Sequence, residues 1–142
     1  MRVEQEKVRQ FMEKIGDVVY DDPTTIPQNE AARRKRFIVE EAEEYETANA
    51  AGDIVEVADA IADLAYVVIG AAVSHGIDLQ PIFDEVHRSN MTKSAGVSLT
   101  PKTIGGVSTE EKRCTKGPNY EKPRIAELLV IQSTGLNNES LV

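Results

Sequence analysis

Six carboxylates in two short runs carry the most chemistry in this sequence. Glu40, Glu41 and Glu44 form a Glu-Glu-x-x-Glu run, and Glu56, Asp59 and Asp63 follow at i, i+3 and i+7. On a helix advancing about 100° per residue, Phe37, Ile38, Ala42, Tyr45 and Ala48 make one apolar arc. Glu41 falls inside that arc, Glu40 and Glu44 lie at its edge, and Glu43 and Glu46 point away from it. Glu56, Asp59 and Asp63 share one stripe of a helix whose remaining residues are almost all apolar. Two such stripes brought together crowd six acids where an isolated carboxylate is costly and clustered ones take up protons. A divalent cation is the economical counter-charge. Mg²⁺ takes oxygen ligands from carboxylates and leaves positions open for water and phosphate oxygens, and Mn²⁺ can substitute. The competing reading pairs these acids with Arg33, Arg34 or Arg36, or with a partner chain, or leaves them lining a wet groove.

Other metal chemistry is poorly served. A di-iron carboxylate bundle needs Glu-x-x-His on two helices, and the nearest arrangement is a single Asp84-x-x-His87. One cysteine, Cys114, and two separated histidines do not make a zinc site. The lone cysteine also excludes an intrachain disulfide, so a reducing, cytoplasmic setting is expected. The first residues mix both charge signs without the apolar run of a signal peptide, and export is not expected. Residues 54–73 are long enough to cross a bilayer, but Glu56, Asp59 and Asp63 interrupt them. They read as a buried helix, with no membrane partner.

The charge is segregated. Of the net −8, residues 1–36 carry +1 and residues 88–142 carry +3, while residues 37–87 hold twelve acids and no Lys or Arg, giving −12. A nucleic-acid binder needs a basic face to displace phosphate counterions, so none is expected as partner. Disorder is excluded for the acidic window by its apolar content, such as Tyr66-Val67-Val68-Ile69.

The elements that must position the acids are helices. With 142 residues and only 5% aromatic side chains, the chain suits one soluble domain with a core of small aliphatic residues. Val8, Phe11, Met12 and Ile15 predict an opening helix ended by Gly16, and Pro23 and Pro27 bracket a loop. Asn29 is placed to cap a second helix over residues 29–49, Gly52 to end it, and Asp53 to cap a third that stops at Gly76. Asp78 is placed to cap a fourth helix, with Pro81 in its first turn, running to Met91. Residues 94–117, rich in Ser, Thr, Gly and Lys, read as a long loop or weak hairpin. A short helix over residues 123–132 and a frayed polar tail complete the chain. The run Arg33-Arg34-Lys35-Arg36 reads as a solvated helix turn, and His87 as a structural or surface histidine.

These residues resemble the all-α nucleoside triphosphate pyrophosphohydrolases, which include MazG-like proteins and the phosphoribosyl-ATP pyrophosphohydrolase-like group. Glu40-Glu41-Ala42-Glu43-Glu44 followed by Glu56-Val57-Ala58-Asp59 is similar to an EExxE…ExxD signature. The likeness continues through Asp63-Leu64-Ala65-Tyr66, Gly76-Ile77-Asp78-Leu79, His87-Arg88-Ser89-Asn90-Met91-Thr92-Lys93 and Lys116-Gly117-Pro118-Asn119-Tyr120. The resemblance implies hydrolysis between the α and β phosphates of a nucleoside triphosphate, giving a monophosphate and pyrophosphate. It implies Glu41, Glu44, Glu56 and Asp59 as Mg²⁺ ligands, with Asp63 as an extra ligand or a sugar contact and Glu40 orienting or deprotonating the attacking water. Asn90 and Lys93 then contact substrate, with Lys116 and Tyr120 as further contacts. The short gap between Glu44 and Glu56 leaves the second acid pair as either Glu56/Asp59 or Asp59/Asp63.

The expectation is therefore an all-α, four-helix-bundle-like domain of MazG type over residues 1–142. Its core spans about residues 1–93, and a long loop and short final helix follow in residues 94–142. Ala58, Ala62, Ala65, Gly70, Ala71 and Ala72 permit close approach of another helix, so oligomerisation is expected, and the resemblance implies a homodimer or dimer of dimers. Two other readings stand beside the triphosphate pyrophosphohydrolase: phosphoribosyl-ATP hydrolysis, and a non-enzymatic helical module binding a nucleotide or a protein.

Overall fold

The computed structural model describes residues 1–104 and 107–135, which divide into two compact units. Among the described residues, the first takes in Met1–Gln80 and 127–135, and the second lies within Pro81–Ala126. The frayed tail expected after residue 135 lies outside the described residues.

The first unit is built on α1 (Arg2–Lys14), α2 (Gln28–Ala51) and α3 (Ile54–Ser74), with α3 packed against both others. Val8 and Met12 of α1 meet Val73 of α3 in the core, and Val19 and Ile69 pack against them. The i, i+4 pair buries as its periodicity predicts, whereas Phe11 and Ile15 on the same stripe stay exposed.

The N-cap of α2 falls two residues earlier than predicted. Pro27 holds the N-cap position, Asn29 lies inside the first turn, and no side chain caps the helix. A proline gives up nothing there, because a helix start leaves its N–H unused. At the other end Gly52 adopts the left-handed conformation, φ 71°, which glycine reaches without a Cβ clash. Asp53 then caps α3 as expected, accepting from Val55 N at 3.0 Å and Glu56 N at 3.3 Å. Gly76 combines φ 65° with so close an approach to the Asp22 backbone that a β carbon would collide. Beside it, Thr24 N donates to His75 O and His75 Nδ1 donates to Thr24 O, at 2.9 and 2.7 Å, fixing the loop from α1 to α2 against the end of α3.

Asp78 caps α4 (Leu79–Met91) by accepting from Gln80 N at 3.1 Å. Gln132 of α5 (Ile125–Thr134) brackets the Asp78 backbone, accepting from its N–H and donating to its carbonyl, both at 3.0 Å.

In the second unit, the stretch read as a long loop or weak hairpin is an antiparallel hairpin of β1 (Ser94–Ile104) and β2 (Val107–Thr115). Its register runs from Ser98↔Arg113 to Ile104↔Val107, with an irregularity between Ser94 and Ser98. Val97, Thr100, Thr103, Ile104, Val107 and Thr109 supply the β-branched residues that favour extended backbone, a signal diluted by the Gly and Lys among them. Apart from this hairpin the described elements are all α. Among the described residues, no helix is long and apolar enough to cross a membrane.

Candidate functional site

The α2–α3 helical hairpin sets the acid register. Because Asp53 fixes the first turn of α3, Glu56 and Asp59 return along α2 opposite the Glu40–Glu44 stretch. An open cleft of about 500 Å³ forms between the helices, lined by Glu40, Glu43 and Glu44 from α2, by Glu56 and Asp59 from α3 and by its cap, Asp53. The buried methyl groups of Ala48 and Ala60 also line it. Four of the predicted residues, Glu40, Glu44, Glu56 and Asp59, thus share one cleft. Glu43 joins them, although its angular position pointed away from the apolar arc. The cleft is open, so the outer stripe of α2 forms its rim instead of facing bulk water alone.

Glu41, predicted as a ligand beside them, does not line the cleft. Its Oε2 is buried and has no hydrogen-bond partner. Burial, and then the charges of Glu44, Asp63, Glu40 and Asp59, hold its carboxyl above the usual carboxylate range. The repulsion ties Asp63 to the same cluster, although Asp63 does not line the cleft. Counter-charge is scarce: Arg36 pairs with Glu40 at 3.4 Å with both side chains exposed, where such pairs contribute little.

The other arginines are committed elsewhere. Arg33 bonds both Asp17 and Glu30, and Arg34 Nη2 donates to Asp17 Oδ2 at 2.6 Å. Among the described residues, pairing of the six acids with nearby arginines therefore describes Glu40 alone. Nor is the basic run wholly solvated, because Arg34 is only 8% exposed. Its Nη1 lies 3.7 Å from where a β carbon on Gly70 would sit, an ordinary contact distance, so α3 packs against the guanidinium. Burial works against ionisation of Asp17, but hydrogen bonds from Arg33, Val18 N and Arg34 outweigh it and hold its pKa below the usual value. Neither Asp17 nor Arg34 carries a local sequence signal for this role, since the partners are 17 residues apart and belong to different elements.

The donor set suits a hard divalent cation in kind: all oxygen, mutually repelling, with one buried oxygen unsatisfied. Among the described residues, no three Asp, Glu, His or Cys side chains are gathered into a ready-made metal shell.

The four predicted substrate contacts all belong to the second unit. Asn90 is exposed near the end of α4, Lys93 is half-buried just beyond it, and Lys116 Nζ stands 5.0 Å from the Tyr120 ring centroid. The same unit contains a buried anchor at Glu85, which accepts two hydrogen bonds from Arg88, each 2.9 Å, and one from Arg124 N at 2.8 Å. Arg88 also reaches Glu121 at 2.5 Å, and Ser89 Oγ donates to Glu121 O at 2.7 Å. His87 is exposed, as a surface histidine would be.

An all-α scaffold that sets these carboxylates on a helical hairpin defines the class: the all-α nucleoside triphosphate pyrophosphohydrolases. The family model for phosphoribosyl-ATP pyrophosphohydrolase matches residues 8–90, more than half of the chain, and the chain belongs to that family. Its members are pyrophosphohydrolases, enzymes that act on phosphoric anhydride bonds. The matched stretch contains every acid of the cleft and ends at Asn90, leaving Lys93, Lys116 and Tyr120 beyond it. No curated protein matches the chain.

Proposed function

We propose that the protein is a Mg²⁺-dependent pyrophosphohydrolase that cleaves a nucleoside triphosphate between its α and β phosphates, releasing the monophosphate and pyrophosphate. The observation that carries this reading is the buried, unpartnered Oε2 of Glu41 amid Glu40, Glu44, Asp59 and Asp63. A carboxylate so placed weakens the empty protein, and a cation relieves it.

Glu41, Glu44, Glu56 and Asp59 are the residues to hold the ion, with Asp63 as a further ligand, and Mn²⁺ can replace Mg²⁺. When bound, the ion supplies neutralisation of the triphosphate and acidification of a water. Glu40, exposed at the rim of the cleft, orients that water and takes its proton. The water oxygen bonds to the α phosphorus as the bond to the bridging oxygen breaks, and that oxygen leaves with pyrophosphate. Asn90, Lys93, Lys116 and Tyr120 are the substrate contacts, the lysines as mobile positive charges for phosphate.

The functional molecule on this reading is a homodimer or dimer of dimers. Ile54, Val55 and Ile61 of α3 are 74%, 71% and 52% exposed in the single chain, an apolar surface that another copy would cover. A second substrate reading, phosphoribosyl-ATP, is favoured by the family match itself.

The test is pyrophosphate release from a panel of ribo- and deoxyribonucleoside triphosphates and phosphoribosyl-ATP with Mg²⁺. At least one compound should yield pyrophosphate and the corresponding monophosphate. Release from none of them overturns the reading.

A further inference from the structure

Residues 116–124, which carry Lys116 and Tyr120, have no regular secondary structure, so their backbone polar groups need partners from outside a helix or sheet ladder. Side chains of α4 and of the turn that closes it supply them. Glu121 is tied at both backbone groups: its N–H donates to Thr92 Oγ1 at 2.9 Å, and its carbonyl accepts from Ser89 Oγ at 2.7 Å. Thr92 Oγ1 in turn donates to Ser89 O at 2.8 Å, so one hydroxyl accepts from the segment and donates to the helix. Three residues beyond Glu121, Arg124 N donates to the buried Glu85 carboxylate at 2.8 Å. Arg88 pairs with the side chain of Glu121, the one acid of the segment. Ser89 is only 3% exposed, which puts its hydroxyl out of reach of a ligand and leaves it the backbone of Glu121 as partner.

The same ties sort the residues of α4. Glu85, Arg88, Ser89 and Thr92 recur at i, i+3, i+4 and i+7, one stripe of a helical path, and all four bond the segment. Asn90 and Lys93 each follow a member of that stripe by one residue and lie beside it. Tyr120 precedes the tied Glu121, so the two hydroxyls bring Tyr120 next to the turn that bears Asn90 and Lys93. Tyr120 N donates to Gly117 O at 3.0 Å, and this turn folds Lys116 back until its Nζ stands 5.0 Å from the Tyr120 ring centroid. A lysine on an untied loop loses more freedom on meeting a phosphate than one already held in place.

We infer that Ser89 and Thr92 are positioning residues: through the backbone of Glu121 they hold Lys116 and Tyr120 beside Asn90 and Lys93, so that both lysines reach one polyphosphate chain. The inference rests on the proposed hydrolase reading, which supplies those four contacts, and adds to it two residues that do not themselves touch substrate.

Thr92→Val keeps the shape of the side chain and removes the hydroxyl, Thr92→Ser restores the hydroxyl, and Ser89→Ala removes the other tie. The measurement is calorimetric binding of inorganic tripolyphosphate with Mg²⁺, a probe with neither base nor sugar, on variants whose helical circular dichroism matches the wild type. Thr92→Val and Ser89→Ala should each weaken binding about fivefold, the scale of one hydrogen bond, and Thr92→Ser should bind as the wild type does. In a Lys116→Ala background neither Thr92→Val nor Ser89→Ala should weaken binding further, because each acts through the ammonium already removed. Should Thr92→Val not fold, the Ser89→Ala cycle decides alone. Wild-type affinity in both variants, a full loss that persists in the Lys116→Ala background, or no binding of tripolyphosphate to the wild type overturns the inference. If no nucleotide releases pyrophosphate yet the tripolyphosphate cycle is non-additive, the positioning role stands and the hydrolase reading falls. Triphosphate turnover with an additive cycle keeps the hydrolase reading and removes the positioning role.

Discussion

At the scale of single residues, Glu41 shows how a site works against stability. One of its oxygens is buried and unsatisfied and its carboxyl is repelled by other acids, so removing the charge relieves repulsion in the metal-free protein. Glu41→Gln should raise metal-free stability by about 1 kcal/mol while abolishing turnover and the stabilisation that Mg²⁺ gives by binding the native state. Paired thermal melts with Mg²⁺ and with EDTA check both signs. Asp17 is the opposite case. Removing its charge strands the buried guanidinium of Arg34, and Asp17→Asn should cost about 3 kcal/mol in urea denaturation. Glu41 was legible in the sequence because angular position alone puts it inside the apolar arc of its helix. Arg34 was not, because an arginine in a basic run looks solvated until a distant aspartate and a facing glycine are seen to enclose it.

Among the elements, the boundaries with a strong local cause were the readable ones. Gly52 and Asp53 end one helix and start the next through backbone freedom and a side-chain cap, both local effects. Asp78 does the same for α4. The hairpin of residues 94–115 was harder, since β-propensity depends on what a strand packs against. α4 carries an ion-pair anchor with a predictable pH response. The Arg88 hydrogen bonds, and then that from Arg124 N, lower the Glu85 pKa from 4.5 to about 2. A carboxyl depressed on folding stabilises the native state above its unfolded value, and that contribution fades as pH falls from about 4.5 through about 2. Denaturation midpoints should therefore fall between pH 5 and pH 2 by more in the wild type than in Glu85→Gln, which has no such proton to gain. Parallel pH profiles for the two proteins would contradict the anchor.

For the whole molecule, the charge map separates an acidic stretch, residues 37–87, from flanks that carry small net positive charges. That segregation was visible before any fold, and it falls on the helices that bear the cleft. The exposed apolar surface was only partly visible: α3 read as apolar on nearly every side, but which side stays open depends on where α1 and α2 pack. Ile61 on the open side is 52% exposed, so Ile61→Glu should weaken self-association by about tenfold or more. Sedimentation velocity across a dilution series checks this, and an unchanged distribution would place the interface elsewhere.

The central claim is that carboxylates of the α2–α3 hairpin direct water to the α phosphorus. The most direct measurement is ³¹P NMR of a cleaved nucleotide after turnover in ¹⁸O-labelled water. The account predicts the isotope shift on the nucleoside monophosphate and none on pyrophosphate. Label in the pyrophosphate, or release of orthophosphate with the nucleoside diphosphate, would contradict it.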